Sequence, residues 1–468
     1  MIPDRNKVKN VTENPCNMCM PLGAIIPFKG IENCMVIIHG SQGCATYMRR
    51  HMAEHFNEPI DVASSSITEK GTIFGGENNL KRGLKNLIQI YKPEVVGILS
   101  TCLAETIGED IERIAAAFQA ENSDSPGLIA VATPGYGGSH AEGYFRALHG
   151  IVAALSRNGQ KHAGLNVFVP HISPADIREI KRILELMQVE YTLLPDISAT
   201  LDSPYSQSYK KIPPGGTSLA AIQAMAGARA SIQFGSTVDE ELSPGQYLET
   251  AYGVPLYNLP LPIGVEACDQ FINLLKNFSG QPVPAVLQQE RGRLLDAMVD
   301  SHKYNREGRA AVFGEPETVY AVSRLLVENG IAPVILATGS TNRSLPGRLR
   351  QLTAECDEEA LILTDSDFAR IRQHCSPKGI NLAIGCSDGR VLTEKEGIPL
   401  VRLGFPIHDR VGGQRILSVG YNGSTILLDQ LTNTLLADKL KNYRVRMYRR
   451  FYPRPASSPD QQLWRNRL

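Results

Sequence analysis

Three cysteines in the first part of the chain have neighbours that suit an iron–sulfur cluster. Cys19 is followed by Met-Pro-Leu-Gly-Ala, Cys44 ends the string His-Gly-Ser-Gln-Gly-Cys, and Cys102 follows a Ser-Thr pair. Thiolates are preferred ligands of such clusters, and the glycines beside Cys44 let backbone N–H groups approach the sulfides of a bulky cluster. Because a cubane cluster normally takes four ligands, three thiolates would leave a position for another chain or for a non-cysteine group.

The spacing alone leaves other interpretations open. Cys16 and Cys19 could form half of a zinc site, although no second pair of Cys or His stands at zinc-finger spacing. The candidate ligands could also be ordinary buried side chains. We interpret His39 as a buried, hydrogen-bonded residue rather than a ligand. The remaining cysteines are interpreted as structural, core or surface residues: Cys16, Cys34, Cys268, Cys356, Cys375 and Cys386.

A repeated pattern positions these cysteines: a β-rich run, a turn with glycine, then an amphipathic helix. Residues 35–38 lead into the turn with Cys44, and residues 95–100 lead into Cys102. Further strands are predicted at 128–133, 165–169, 191–194, 311–313, 333–337, 361–364 and 382–384. Alternating strands and helices favour an α/β fold of parallel sheets flanked by helices, in which sites form at the carboxyl ends of strands.

Polar stretches near residues 163 and 305 divide the chain into three α/β domains. We predict an N-terminal domain with the candidate cysteines at 1–163, a second domain at 164–305 and a third at 306–440. Residues 441–468 differ, because they are rich in Arg and aromatic side chains and include Trp464, the only tryptophan. A disordered tail and an arm lying on a partner subunit are both open, and the aromatic content favours the arm.

The composition excludes several classes of function. The chain has 48 Lys and Arg against 48 Asp and Glu, and this balance gives no reason to expect nucleic acid or a membrane surface as a partner. Uninterrupted runs of 18 apolar residues and a signal-peptide pattern are absent from the sequence, so we expect no membrane span and a cytoplasmic location. Nine cysteines, an odd number without an export signal, argue against a disulfide framework.

Several strings of residues closely resemble the β subunit of nitrogenase component 1. In this sequence they lie at 19–24, 39–44, 74–76 and 100–110, and their order and spacing both match. Later landmarks of the same family match at 314–317, 384–387 and 404–410. The resemblance covers nearly all of the chain up to about residue 440.

The resemblance implies three Rossmann-like domains, an α-type partner in an α2β2 heterotetramer and an electron-relay cluster between the two chains. Its ligands here would be Cys19, Cys44 and Cys102, joined by three thiolates of the partner. In catalytic pairs the cluster would be a P-cluster-like [8Fe-7S] centre, with [4Fe-4S] as the alternative. The catalytic iron–sulfur cluster would lie in the partner, so we assign no catalytic residue to this chain.

The resemblance also implies surroundings for the cluster and a docking surface. Ser41 and Tyr47 match positions close to the cluster, and Gly43 is one of the glycines that let it approach the backbone. Phe74 matches a surface position where an ATP-dependent iron protein docks.

One position departs from the nitrogenase pattern. Nitrogenase β subunits carry a serine after the Thr-Pro that follows the third strand, and this serine can ligate the oxidised cluster. Gly135 stands there in this chain, which argues against a serine-ligated form.

Three functions remain open within the family. They are a C–S bond-cleaving reductase of the methylthio-alkane type, a dinitrogen-reducing nitrogenase, and the β-like half of a cofactor-assembly scaffold. Retention of all three cysteines favours a catalytic reductase. A binding module without redox chemistry would fit a chain that had lost Cys44 or Cys102, and neither is lost. The sequence does not identify the substrate or the metal content of the catalytic cluster.

Overall fold

The computed structural model describes residues 16–157 and 159–452, and it confirms the predicted α/β class with three parallel sheets flanked by helices. The first sheet has the strand order β2-β1-β3-β4. Its strands are β1 Cys34–His39, β2 Ala63–Ser64, β3 Val95–Ser100 and β4 Gly127–Val131. Its helices are α1 Met20–Lys29, α2 Gln42–Phe56, α3 Glu69–Phe74, α4 Glu77–Tyr91, α5 Cys102–Thr106, α6 Ile111–Glu121 and α7 His140–Leu155.

The second sheet has the order β6-β5-β7-β8. Its strands are β5 Leu165–Phe168, β6 Tyr191–Leu194, β7 Ala230–Phe234 and β8 Leu256–Leu259. The helices of this part are α8 Pro174–Leu186, α9 Leu219–Ala224, α10 Pro244–Tyr252, α11 Val265–Ser279 and α12 Ala285–Asn305. The buried polar side chain of Gln233 in β7 is partly paired: its Oε1 accepts hydrogen bonds from Ser243 Oγ and from the Gly245 N–H, whereas its Nε2 has no hydrogen-bond partner among the described residues.

The third sheet has the order β11-β10-β9-β12-β13. Its strands are β9 Arg309–Phe313, β10 Ala332–Ala337, β11 Leu361–Leu363, β12 Leu382–Gly385 and β13 Leu400–Arg402. Its helices are α13 Pro316–Glu328, α14 Leu345–Leu352, α15 Phe368–Cys375, α16 Arg390–Glu396 and α17 Gly420–Phe451. The strands β2, β7, β8 and β13 are not among those predicted from the sequence.

Buried aliphatic strands explain why helices cover both faces of the sheets. Every residue of β1 and of β3 is buried, as expected for parallel strands that have no solvent-facing side. One continuous apolar core joins the sheets, and it includes Val36, Val167 and Leu336. Helix α4 shows the complementary pattern, because only Leu80, Leu84 and Leu87 of one face are buried.

Helix α1 is buried along its whole length and is held tightly against α7. A Cβ on Gly23 would lie 1.8 Å from the His140 carbonyl oxygen, and a Cβ on Gly143 would lie 2.1 Å from the Met20 carbonyl oxygen. Glycine is therefore required on both sides of this contact. The contact fixes the start of α1, where Cys19 lies.

The C-terminal helix α17 continues through residue 440, where the sequence places the start of an arm. Thr432 Oγ1 donates a hydrogen bond to Asn305 Oδ1 of α12, which ties the first part of α17 to the fold. Trp464 lies outside the described residues. Each sheet lies within one of the three predicted segments, and the limits of those segments stay a prediction.

Within the two described ranges, none of the helices is both long enough and apolar enough to cross a membrane.

Candidate metal centre

Each of the three candidate cysteines stands at the amino end of a helix. Cys19 is the N-cap of α1, Cys44 lies in the first turn of α2, and Cys102 is the first residue of α5. The first N–H groups of a helix lack partners within it and carry a partial positive charge. Thiolates, and the sulfides of an anionic cluster, are therefore favoured at these positions.

The topology of the first sheet brings the cysteine turns together. His39 at the end of β1 is paired with Ser100 at the end of β3, so the turns before α2 and α5 are neighbours. A Cβ on Gly40 would lie 2.2 Å from Thr101 Oγ1, so only glycine allows the two turns to approach this closely. The carboxyl ends of adjacent parallel strands thus form one site, as the pattern predicts.

Gly135, in the turn after β4, lies between two of the thiols. Its N–H donates a hydrogen bond to Cys102 Sγ at 3.0 Å. A Cβ at this position would lie 2.7 Å from Cys19 Sγ and 3.3 Å from Cys102 Sγ. The absence of a side chain therefore leaves room beside both sulfur atoms.

The Cys44 thiol lies close enough to the other two thiols to interact with them electrostatically. The pKa of the Cys19 thiol is raised to about 11, mostly because the thiol is desolvated and further because the Cys102 and Cys44 thiols are near it. Ser41, the N-cap of α2, directs its hydroxyl to Cys44 Sγ at 3.6 Å. Cys19 and Cys102 are exposed and Cys44 is partly buried, so the group opens towards the surface.

The spacing of the thiols fits a cluster better than a single ion. In the part of the chain that the structure describes, one trio of possible metal ligands lies within 4.8 Å of one another, and it contains no cysteine. A single zinc ion with bonds of about 2.3 Å would hold its thiolates about 3.8 Å apart. Since the three cysteines do not form such a trio, at least one pair of their sulfur atoms lies more than 4.8 Å apart, a separation that a polynuclear iron–sulfur cluster can span.

The residues expected around the cluster all lie on the start of α2. Gly43 is exposed, and a Cβ there would meet only Ser41 Oγ, at 3.8 Å. Tyr47 is 60% exposed, and its ring packs on His51 with centroids 5.0 Å apart. Tyr136, which follows Gly135, is 67% exposed. Exposed aromatic rings beside exposed thiols indicate a surface that a partner covers.

His39 connects this site to the loop with Phe74. The imidazole is fully buried, with Nδ1 2.9 Å from Ser65 Oγ and Nε2 3.3 Å from Glu109 Oε2. Glu109 Oε1 in turn accepts the Gly76 N–H at 2.5 Å. Phe74, at the end of α3, is 79% exposed. The interpretation of His39 as a hydrogen-bonded core residue agrees with these contacts, and Glu109 was missed by sequence reasoning although it lies within the 100–110 string.

The two cysteines of the proposed zinc half-site face different surroundings. Cys16 is buried in the apolar core of the third sheet with Phe313 and Cys386. Burial raises the pKa of the Cys16 thiol well above its usual range. Cys19 is exposed instead, so the pair does not form a shared site.

Three parallel sheets flanked by helices, with a group of thiols beside the carboxyl ends of the strands of the first sheet, define an α/β protein with a candidate metal centre. A family model described as nitrogenase component 1 type oxidoreductase matches residues 19–436. The chain belongs to this family, and the predicted oxidoreductase class is confirmed.

Curated relatives point to the β-type chain within this family. The nitrogenase molybdenum-iron protein beta chain of Clostridium pasteurianum is 36% identical over 432 residues, covering 92% of this chain and 94% of the relative. The beta chain of Methanothermobacter marburgensis is 36% identical over 442 residues, covering 92% and 95%. That of Frankia alni is 36% identical over 450 residues, covering 92% and 84%. The predicted resemblance to a β-type subunit is thereby confirmed.

A solved structure, nitrogenase Cp1 at pH 6.5, has the same fold. The TM-score is 0.89 at 35% sequence identity, and the match covers 94% of this chain and 96% of that chain. A second chain, from nitrogenase Cp1 at pH 5, matches with a TM-score of 0.69 at 16% identity, which shows likeness of fold alone. The assignment of individual ligands in this chain stays a prediction.

Proposed function

We propose that this chain is the electron-relaying, β-type subunit of a nitrogenase-like reductase. In this proposal Cys19, Cys44 and Cys102 hold its share of an iron–sulfur cluster at the interface with an α-type partner. The observation that carries the proposal is the gathering of two thiols around Gly135, with the third close enough to raise the Cys19 pKa. Their exposure supports completion of the site by a second chain.

The residues of this chain bind and orient. The three cysteines supply anionic sulfur at helix amino ends, where unpaired N–H groups stabilise negative charge. The Gly135 N–H, now bound to Cys102 Sγ, is placed to donate to sulfur. Bound there, an iron–sulfur cluster would supply one-electron transfer. We propose a P-cluster-like [8Fe-7S] centre, because all three cysteines that the family resemblance assigns to such a centre are present, and keep [4Fe-4S] as the alternative.

The electron donor in this proposal is an ATP-dependent iron protein. Phe74 is exposed at the end of the short helix α3. The turn that follows it is fixed by the hydrogen bond from the Gly76 N–H to Glu109 Oε1. An exposed aromatic side chain on a fixed loop suits an interface anchor. The assembly would be an α2β2 heterotetramer with the catalytic cluster in the α-type chain.

For the substrate, we propose the C–S bond of a small alkyl sulfide. Gly135, in place of the serine of nitrogenase β subunits, supports a reductase distinct from nitrogenase proper. Reducing such a bond takes two electrons and two protons and yields a hydrocarbon and a thiol. Dinitrogen reduction is the second candidate, because the relatives at 36% identity are molybdenum-iron protein beta chains.

Turnover by the intact complex tests the proposal. The chain is purified without oxygen together with its α-type partner and supplied with iron protein, ATP and either dimethyl sulfide or dinitrogen. We expect methane and methanethiol from dimethyl sulfide. Ammonia from dinitrogen without methane would replace the first candidate by the second. A complex that transfers a cluster but turns over neither substrate would overturn both and indicate an assembly scaffold.

A matched pair of cysteine variants tests whether turnover depends on the candidate metal centre. Cys44→Ala removes the thiol at the start of α2, whereas Cys356→Ala removes a partly buried thiol outside the site. We expect loss of turnover only with Cys44→Ala. Equal activity of both variants would contradict the assignment of Cys44.

A further inference from the structure

A buried carboxylate joins the turn behind Phe74 to His39 at the end of β1. The N–H of Gly76, in the turn between α3 and α4, donates to Glu109 Oε1 at 2.5 Å. The other carboxylate oxygen, Oε2, lies 3.3 Å from His39 Nε2. The side chains of His39 and Glu109 are 0% and 8% exposed, so these hydrogen bonds are shielded from water. The turn that follows the docking residue is therefore tied to the interior of the first sheet.

The series of hydrogen bonds continues on the other side of the imidazole. His39 Nδ1 lies 2.9 Å from Ser65 Oγ, and the Gly40 N–H donates to the same oxygen at 3.1 Å. Burial lowers the pKa of His39, so the ring is neutral near pH 7 and carries one proton. Because a carboxylate oxygen accepts, that proton lies on Nε2, and the Ser65 hydroxyl donates to Nδ1. Every bond from Gly40 to Glu109 thus points the same way, and bonds aligned like this polarise one another.

The turn between α3 and α4 also packs directly on the imidazole. A Cβ on Gly76 would lie 3.0 Å from His39 Cε1 and 2.9 Å from Ile67 Cδ1. Ile67 in turn donates its N–H to the Gly40 carbonyl oxygen at 2.8 Å. Close packing of this kind transmits a displacement, because there is no gap to absorb it. An inward movement of the turn must therefore displace His39 or Ile67.

His39 and Gly40 hold two of the cysteine turns. Gly40 lies in the turn that leads into α2 and Cys44. The His39 carbonyl oxygen accepts the Thr101 N–H at 3.1 Å and the Thr101 hydroxyl at 3.2 Å. Thr101 is the N-cap of α5, whose first residue is Cys102. A displacement of His39 therefore reaches two of the candidate ligands.

We propose that three buried side chains, those of Ser65, His39 and Glu109, transmit docking of the iron protein to the interface cluster. This inference rests on the proposed function, because it needs a cluster at the cysteines and a docked electron donor. Hydrogen bonds to the sulfur atoms and exposure to solvent set the reduction potential of such a cluster, so movement of the cysteine turns changes how readily it accepts an electron. One electron passes from the iron protein to the cluster, and the three side chains exchange neither electrons nor protons. They act through other groups and are positioning residues.

The rate of electron transfer tests this coupling on the intact complex with its α-type partner. Oxidation of the iron protein is followed by stopped-flow absorbance with ATP at rising iron-protein concentration, which gives a saturating rate and a half-saturating concentration. Ser65→Ala removes the hydroxyl between His39 and Gly40 and leaves the bond from Gly76 to Glu109 in place. We expect the saturating rate to fall about tenfold, the effect of one hydrogen bond on a rate constant, with the half-saturating concentration unchanged.

Other variants separate coupling from docking and from folding. Ser64→Ala is the matched control and should behave like wild type, because that hydroxyl accepts the Ser66 N–H and lies outside the buried series. Ser65→Thr keeps a hydroxyl and should recover most of the lost rate. Phe74→Ala should show the opposite split, a higher half-saturating concentration at an unchanged saturating rate. Glu109→Gln keeps one of two acceptor oxygens, should also lower the saturating rate, and serves as the test if Ser65→Ala fails to fold.

Iron analysis of each complex separates this inference from the proposed function. A wild-type complex without interface iron, or one that does not oxidise the iron protein, would overturn both. Normal transfer in wild type with an unchanged saturating rate in iron-loaded Ser65→Ala and Glu109→Gln would overturn the coupling alone. A change confined to the half-saturating concentration, or loss of interface iron in both variants, would show a docking or structural role and would also overturn the coupling.

Discussion

The hydrogen bonds of Glu109 give a prediction whose size follows from the structure. Its carboxylate accepts the Gly76 N–H at 2.5 Å and lies 3.3 Å from His39 Nε2. Hydrogen bonds to a charged group contribute about 1.5–3 kcal/mol each, and the longer one belongs at the lower end. Opening of the turn at residues 75–76, between α3 and α4, breaks the short bond to Gly76, so Glu109→Ala should lower the free energy of this opening by about 3 kcal/mol. That is roughly a 150-fold increase in the opening equilibrium constant.

Hydrogen exchange with mass spectrometry measures this opening on the full chain. The peptide containing Gly76 should exchange faster in Glu109→Ala, while peptides of the second and third sheets should not change. Glu109→Gln keeps an oxygen acceptor and should lose less protection. Glu112→Ala is the matched control, because Glu112 is exposed on the neighbouring helix α6. A change in Glu109→Ala no larger than in the control would refute the claim that this carboxylate holds the loop.

Three further predictions concern a buried cation, the exposed loop and the glycine contact. Burial lowers the pKa of Lys29 to about 8, below its ordinary value, so the unfolded chain binds the extra proton between about pH 8 and 10.5. In urea unfolding, the free energy of unfolding of wild type should therefore rise by about 1.4 kcal/mol per pH unit relative to that of Lys29→Met over this window. A difference that stays constant with pH would contradict the lowered pKa of Lys29. Phe74→Ala should weaken iron-protein binding by about 2 kcal/mol in a titration of the complex, with stability unchanged. Tyr205→Ala, which removes another strongly exposed aromatic ring, should change neither. Gly143→Ala places a Cβ 2.1 Å from a backbone oxygen and should lower stability by at least about 3 kcal/mol in thermal unfolding, and a stable variant would refute the close contact.

The sequence predicted the parts of the site that depend on local pattern. Apolar runs followed by glycine turns place Cys44 and Cys102 at strand ends, and parallel pairing of β1 with β3 brings those ends together. The predicted strand at 35–38 differs from β1 only at its ends, since Cys34 and His39 are buried strand residues that are less typical of strands.

Other strands lack a residue pattern from which they could be predicted. The strands β2 and β13 have two and three residues, too few to show a period. The strand β7 carries Ser231 and Gln233, which look solvent-exposed in sequence but are fully buried. The cost of burying these polar groups is offset in part by hydrogen bonds. Asn166, which is distant in sequence, donates to Ser231, and Ser243, which precedes α10, donates to Gln233.

Long-range polar pairs could not be predicted from one sequence. His39 meets Glu109 across 70 residues and His140 meets Glu315 across 175. Each pairing exists only because separate turns converge after folding. The role of Gly135 is similar, because its significance lies in the two sulfur atoms beside it and not in its neighbours in sequence.

The most direct test of the central claim is the iron content of the interface centre. The chain and its α-type partner are purified together without oxygen, as wild type, Cys44→Ala and Cys356→Ala, and are measured by iron analysis and EPR. The account predicts the iron and spectrum of an [8Fe-7S] centre in wild type and in Cys356→Ala, and loss of both, with weaker pairing of the chains, in Cys44→Ala. Full interface iron and stable pairing in Cys44→Ala would contradict it.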